Sequence, residues 1–210
     1  MTPNAARIIT PICRVCTMRE KVLRKCRESI EVKDKFFERY ADQISELCQA
    51  MAQRFEQGGK LWVIGNGGSA CDAQHVAVEF VHPIIEKRRP LLAMDLVSQV
   101  ATLTAISNDQ DFTRVFLNQI ELWGRPGDMA LALSTSGQSP NLIYALRAAQ
   151  KRAMLTIAFA GKDGGRMTDV TDFLFTVPSF SLHRIQECHV TLLHVMWDLI
   201  HVAMGEEDVI

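Results

Sequence analysis

The chain of 210 residues carries almost no net charge: 23 lysines and arginines face 24 acids, giving −1 at pH 7. With a pI near 6.6, it has no electrostatic footprint for nucleic acid or an anionic membrane surface. The basic cluster at 19–27 is interleaved with acids and reads as a solvated helix face. No apolar run reaches the roughly 18 residues that a membrane span needs. The best candidate, 192–204, is broken by His194, Asp198 and His201. A charged segment followed by an apolar stretch is missing at the N-terminus, so no secretory signal is read and the cytoplasm is the expected location. Cys13 and Cys16 form one C-x-x-C with no second pair and no adjacent strand. The six cysteines are therefore read as reduced thiols.

What remains is a length that suits one domain with a sizeable core. Residues 1–16, with two prolines and little periodicity, are expected to be a poorly ordered tail, and 205–210 a second tail. Between them, 17–204 reads as a single domain. Residues 17–57 are its helical N-terminal segment, free of Pro and Gly until Gly58-Gly59 ends it, with Phe36, Phe37, Tyr40, Ile44, Leu47, Met51 and Phe55 recurring at threes and fours. That stripe must be covered, by the sheet or by a partner subunit. From 58 to 204 strands and helices alternate. The strands expected are 61–64, 91–96, 129–133, 155–159 and 173–177. The helices expected are 69–85, 98–106, 112–122, 140–152, 165–170 and 183–204. Short apolar strands alternating with helices predict an α/β fold with a five-stranded parallel sheet, doubly wound with helices on both faces.

Two turns at strand ends are built for anions. After 61–64 comes Gly65-Asn66-Gly67-Gly68-Ser69, opening a helix. Glycines let backbone amides approach an anion, and the helix N-terminus adds its dipole. Gly65-x-Gly67-x-x-Ala70 also fits a dinucleotide fingerprint. The acid that such a site needs, Asp95, falls about ten positions later than the usual spacing of roughly 20. A Walker loop is excluded because no G-K-[ST] ending follows. The second turn is Ser134-Thr135-Ser136-Gly137-Gln138-Ser139, ahead of Pro140 at a helix start. Ser139 alone would serve as a helix N-cap. Capping leaves Ser134, Thr135 and Ser136 unexplained, and converging hydroxyls suit a phosphate.

His75 and Glu79 stand at i and i+4, on one face of the helix after the glycine turn. The last helix offers Gln186, His189, His194 and His201. At about 100° per residue, Gln186 and His194 lie some 80° apart, with His189 about 60° away on the other side. Spacing thus leaves open which histidine shares a site with Gln186. Imidazole, carboxylate and amide oxygen together suit a divalent ion such as zinc.

Gly65 to His75, Asn108-Asp109, Gly124 to Asp128, Ser134 to Ser139, Gly161 to Gly165 and Arg184 to Glu187 together resemble the bacterial phosphoheptose isomerases, single-domain members of the sugar isomerase (SIS) superfamily with a flavodoxin-like sheet. The resemblance spans about 17–204. It implies a homotetramer with active sites at subunit interfaces and first helices packed between subunits. It implies conversion of D-sedoheptulose 7-phosphate to D-glycero-D-manno-heptose 7-phosphate through an enediolate, for heptose-containing glycans such as lipopolysaccharide. Carried over residue by residue, zinc ligands fall on His75, Glu79, Gln186 and His194. Substrate contacts fall on Asn66, Gly67, Gly68, Ser69, Glu79, Asn108, Asp109, Ser134, Thr135, Ser136, Ser139 and Gln186. Glu79 and His194 correspond to the acid–base pair.

Two departures bear on the substrate. Where the family continues Leu-Thr-Gly-Arg after the glutamate, this chain has Phe80-Val81-His82-Pro83, and a substrate-facing arginine is lost. Lys87, Arg88 or Arg89 are the nearby replacements. Ahead of Arg184, His183 stands where Asp is common. A non-catalytic relative, such as a replication-initiator-associating protein, would keep the sugar-phosphate loops but lack the helix carboxylate, so Glu79 argues for the enzyme. A sugar-sensing transcription regulator would need a DNA-binding segment, and residues 1–60 carry neither a basic bias nor a helix-turn-helix break.

Overall fold

A computed structural model describes residues 17–84 and 88–208. Cys13, Cys16 and the expected tail at 1–16 lie outside the described residues, as does Lys87. The first element is a 39-residue helix, α1 (Met18–Glu56), opened by a capping box in which Thr17 and Glu20 satisfy each other's backbone amides. Then follow β1 (Leu61–Gly65), α2 (Gly68–Val81), β2 (Ala93–Asp95), α3 (Val100–Asp109), a 3-10 turn (Phe112–Arg114) and α4 (Leu117–Trp123). The second half holds β3 (Met129–Ser134), α5 (Pro140–Lys151), β4 (Leu155–Gly161), a 3-10 turn (Gly165–Asp169), β5 (Phe173–Val177) and α6 (Leu182–Ala203). All strand pairs are parallel, in the order β2-β1-β3-β4-β5.

Strand alternation splits the core into two layers. Leu61, Val63, Leu131, Ile157 and Phe175 point into a cluster closed by α1, α2 and α6. Trp62, Ile64, Ala130, Ala132 and Ala158 point the other way, under α4 and α5. The small alanines of β3 and β4 let α5 sit close on that face. The apolar stripe of α1 is buried only from Phe36 onward; Met18, Val22, Leu23 and Ile30 are exposed.

Three elements differ from the sequence expectation. The helix expected at 112–122 is broken into a 3-10 turn and α4. Asp111 accepts from the Thr113 amide at 2.7 Å, and Val115 and Phe116 then both turn into the core. One unbroken helix would point such neighbours about 100° apart. The second helix stops at Val81 because Pro83 bars its predecessor from helical geometry, and His82 sits at φ −134°, ψ 75°. The edge strand expected at 91–96 is regular only over Ala93–Asp95, since Pro90 precedes it and β1 is its one neighbour. Residues 205–208, expected as tail, are held to the body: Glu206 pairs with His201 at 3.0 Å and Arg89 at 3.1 Å. Among the described residues, no helix is long and apolar enough to cross a membrane.

Candidate active site

The winding of the sheet reverses between β1 and β3, and ligands bind outside the carboxyl ends of strands at such a switch point. Gly65 and Leu133 are in register there, so the glycine turn and the serine loop lie side by side. Gly67 takes φ 56°, ψ −123°, a conformation that a side chain would oppose. Ser69 and Ala70 donate back to the carbonyls of Asn66 and Gly67 (3.1 and 3.0 Å) and close the turn. Ser69 is buried beneath it. No side chain caps α2, which leaves its dipole open to an anion.

In the serine loop, Ser134 Oγ accepts from the Gly137 amide (3.0 Å) and Ser136 Oγ from the Gln138 amide (3.3 Å). Each hydroxyl thereby keeps its proton to donate outward. Ser139 holds the N-cap position of α5 but makes no side-chain cap bond, so capping does not consume its hydroxyl. Thr135 and Ser136 are half-buried on the same loop. The loop after β4 braces it, with the Arg166 amide donating to the Gly137 carbonyl at 3.0 Å. Asn141 was not foreseen. Its amide exchanges two hydrogen bonds with that of Asn66 (3.1 and 2.9 Å), stitching the two turns together. Asn66 thus spends its side chain on the scaffold. The sequence signal was no more than an Asn after a helix-starting Pro.

The third part comes from two helices. His75 Nε2 lies 3.2 Å from Glu79 Oε1 on α2. From α6, His194 Nε2 reaches to 3.4 Å from His75 Nε2. One ligand atom from each of His75, Glu79 and His194 falls within 4.8 Å of the others. Two imidazoles and a carboxylate so placed could hold a metal ion. Gln186, also on α6, lies over the glycine turn: a Cβ added to Gly68 would lie 2.5 Å from its amide nitrogen. Asp72, one turn before His75, has one buried carboxylate oxygen without a partner. Burial raises its pKa above the usual carboxylate value, against the pull of His75.

The tertiary structure separates the two histidines that spacing could not. His189 is fully buried beside β4, its Nε2 3.0 Å from the Ala160 carbonyl, and burial pushes its pKa down to about 4. His194 faces the triad instead. Asn108 and Asp109 are exposed at the end of α3 and bond to each other at 2.7 Å; among the described residues no hydrogen bond ties them to the rest of the site.

A family model for the SIS domain matches residues 26–161. The phosphoheptose isomerase of Aquifex aeolicus is 44% identical over 91% of this chain and 100% of its own. The chain belongs to the phosphoheptose isomerase family. It is an isomerase. The solved phosphoheptose isomerase of Neisseria gonorrhoeae superposes with a TM-score of 0.82 at 38% identity, covering 88% of this chain and 98% of that one. That of Francisella tularensis gives 0.84 at 32%, covering 89% and 99%.

Within this isomerase, Asp128 and the arginines at 88 and 89 serve the frame. Asp128 is buried and accepts from the Trp62 indole (2.9 Å) and from the amides of Lys60 and Arg125 (3.0 Å each). It therefore anchors the opposite end of the sheet. Arg88 and Arg89 are engaged elsewhere in the chain and do not replace the missing arginine. Arg88 is buried against Asp198, as a buried guanidinium requires a carboxylate partner, and the exposed Arg89 pairs with Glu206.

Proposed function

We propose that the enzyme interconverts D-sedoheptulose 7-phosphate and D-glycero-D-manno-heptose 7-phosphate, with zinc held by His75, Glu79, His194 and Gln186. The observation that carries this reading is the meeting of the His75–Glu79–His194 triad, drawn from two helices, with a serine loop at the switch point of the same sheet. Moving a proton between C1 and C2 needs a base, an acid for the oxygens, and something to hold developing negative charge. A bound zinc ion supplies the Lewis acid for the sugar oxygens. Glu79 takes the carbon-bound proton and returns it to the neighbouring carbon, while His194 serves the oxygens. Hydroxyls of Ser134, Thr135, Ser136 and Ser139 and the open end of α2 hold the phosphate, which fixes the sugar chain over the triad. The backbone of Asn66 to Ser69 lines that anchor, and Gln186 spans it and the triad.

Assembly as a homotetramer with interface active sites fits two exposed surfaces. The first half of α1 carries Met18, Val22, Leu23 and Ile30 uncovered, and α3 has no buried residue within the chain. Asn108 and Asp109 on α3 would then complete a neighbour's site. A cytoplasmic enzyme feeding heptose-containing glycans is the corresponding cellular role. The test is metal analysis of the purified protein together with turnover of sedoheptulose 7-phosphate, followed by detection of the aldose. Zinc bound near one ion per subunit and aldose formed is the expected result; metal-free, inactive protein overturns it.

A further inference from the structure

Pro83 leaves an unusual debt in the helix that carries the triad. In an α-helix the carbonyl of residue 79 would accept from the amide of residue 83, and Pro83 has no amide. The Glu79 carbonyl is nevertheless paired: the Trp197 indole Nε1 donates to it at 2.9 Å. Trp197 sits on α6 one turn beyond His194, so the bond ties the helix of one triad member directly to the helix of another. The indole itself is packed by two neighbours. The Arg88 guanidinium lies 5.3 Å over its ring, and the His201 ring meets it at 5.1 Å, edge to face. Arg88, its side chain 2% exposed, pairs with Asp198. It also donates to the carbonyls of Asp198 (3.1 Å) and Glu207 (3.2 Å). Glu79, His194, Trp197 and Asp198 line one cavity of about 470 Å³, so this frame borders the space where the triad works.

We infer that Trp197, clamped by Arg88, is a positioning residue that sets Glu79 against His194. The inference rests on the proposed roles of those two residues. An orphan carbonyl at the end of α2 would let its last turn fray, and Glu79 with it. Pinning the carbonyl to α6 holds the carboxylate at a set distance from His194, whichever way the loop after Pro83 runs. Groups of this kind, which orient metal ligands without touching the metal, typically change affinity or activity by about 10- to 100-fold.

Trp197→Phe keeps an aromatic ring against Arg88 and His201 and removes the N–H that bonds the Glu79 carbonyl. The expected result is a fall in kcat of about 10- to 100-fold with KM within about twofold. Zinc affinity, measured on metal-free protein by chelator competition, is expected to fall about tenfold, with cooperative melting retained. A second variant, Arg88→Lys, keeps the charge pairing and loses the planar stack; kcat and zinc affinity should fall in the same direction by about three- to tenfold. Folded Trp197→Phe or Arg88→Lys protein with kcat and zinc affinity both unchanged overturns the assignment. Parent protein that neither binds zinc nor isomerises the ketose removes the functional reading beneath it. Parent protein that does both while the variants match it removes the clamp alone.

Discussion

Gly137→Ala tests whether the serine loop holds the phosphate. Gly137 sits at φ +63°, and a Cβ there would lie 2.5 Å from the carbonyl carbon of Gly164, where ordinary contact begins at 3.4 Å. The obstacle is backbone, so no side chain can swing aside. The carbonyl oxygen of Gly164 lies nearer still than its carbon, so the two loops must part by at least about 0.9 Å. The left-handed backbone adds roughly 1–2 kcal/mol for a residue with a Cβ. A displacement near 1 Å in a group that positions substrate costs on the order of 100-fold in rate. kcat/KM for sedoheptulose 7-phosphate should therefore fall by about that factor, while zinc content is unchanged because the triad lies on α2 and α6. Gly58→Ala is the control: it has a similar φ of +83° with nothing within 4 Å, so it suffers the strain without the displacement. Gly137→Ala protein with kcat/KM within threefold of the parent would show that the loop is not the anchor.

Three further outcomes follow from other parts of the molecule. Glu79→Gln keeps the shape of the side chain but removes its basicity, so turnover should drop by about 10²- to 10⁴-fold; intact turnover with zinc still bound would refute its role as base. His189 titrates near 4 in the folded chain against 6.5 when free. Above pH 6.5 both states are neutral there and stability is full. As pH falls from 6.5 towards 4 only the unfolded chain takes up the proton, so stability is lost, by roughly 3 kcal/mol from this residue. Urea denaturation at pH 7 and pH 4 should show a loss that His189→Leu diminishes; an equal loss in both would sink the argument. Burial raises the thiols of Cys48 and Cys188 to about 12, so neither should be alkylated at pH 8 in native protein, whereas exposed Cys26 and Cys71 should react. Peptide mapping after a short exposure to iodoacetamide distinguishes them, and modified Cys188 in folded protein would count against its burial.

Much of this enzyme could be read from the linear chain because the relevant signals are local. Alternating strands and helices, Gly58-Gly59 after the long helix, and the two anion-type turns after apolar strands each depend on residues a few positions apart. Regular helix and strand periods convert such spacing into faces. His75 and Glu79 are a pair for that reason, being one turn apart on α2. Errors arose where local preference met a tertiary demand: Val115 and Phe116 had to enter the core together, and the helix expected at 112–122 gave way.

Contacts between elements were another matter, since a helical period fixes the face of a residue but not the angle at which the helix docks. His189 and His194 lie within a turn and a half of each other on α6. Only the packing of that helix on β4 and α2 sent one into the core and the other to His75. The bridge from Asn141 to Asn66 spans 75 positions and the bond from Trp197 to the Glu79 carbonyl spans 118. The sequence by itself determined the alternating sheet, the two glycine- and serine-bearing turns after its strands and the His75–Glu79 pair. The tertiary structure alone decided which histidine completes the triad and what holds Glu79 in place, because those depend on the docking of α6 against α2.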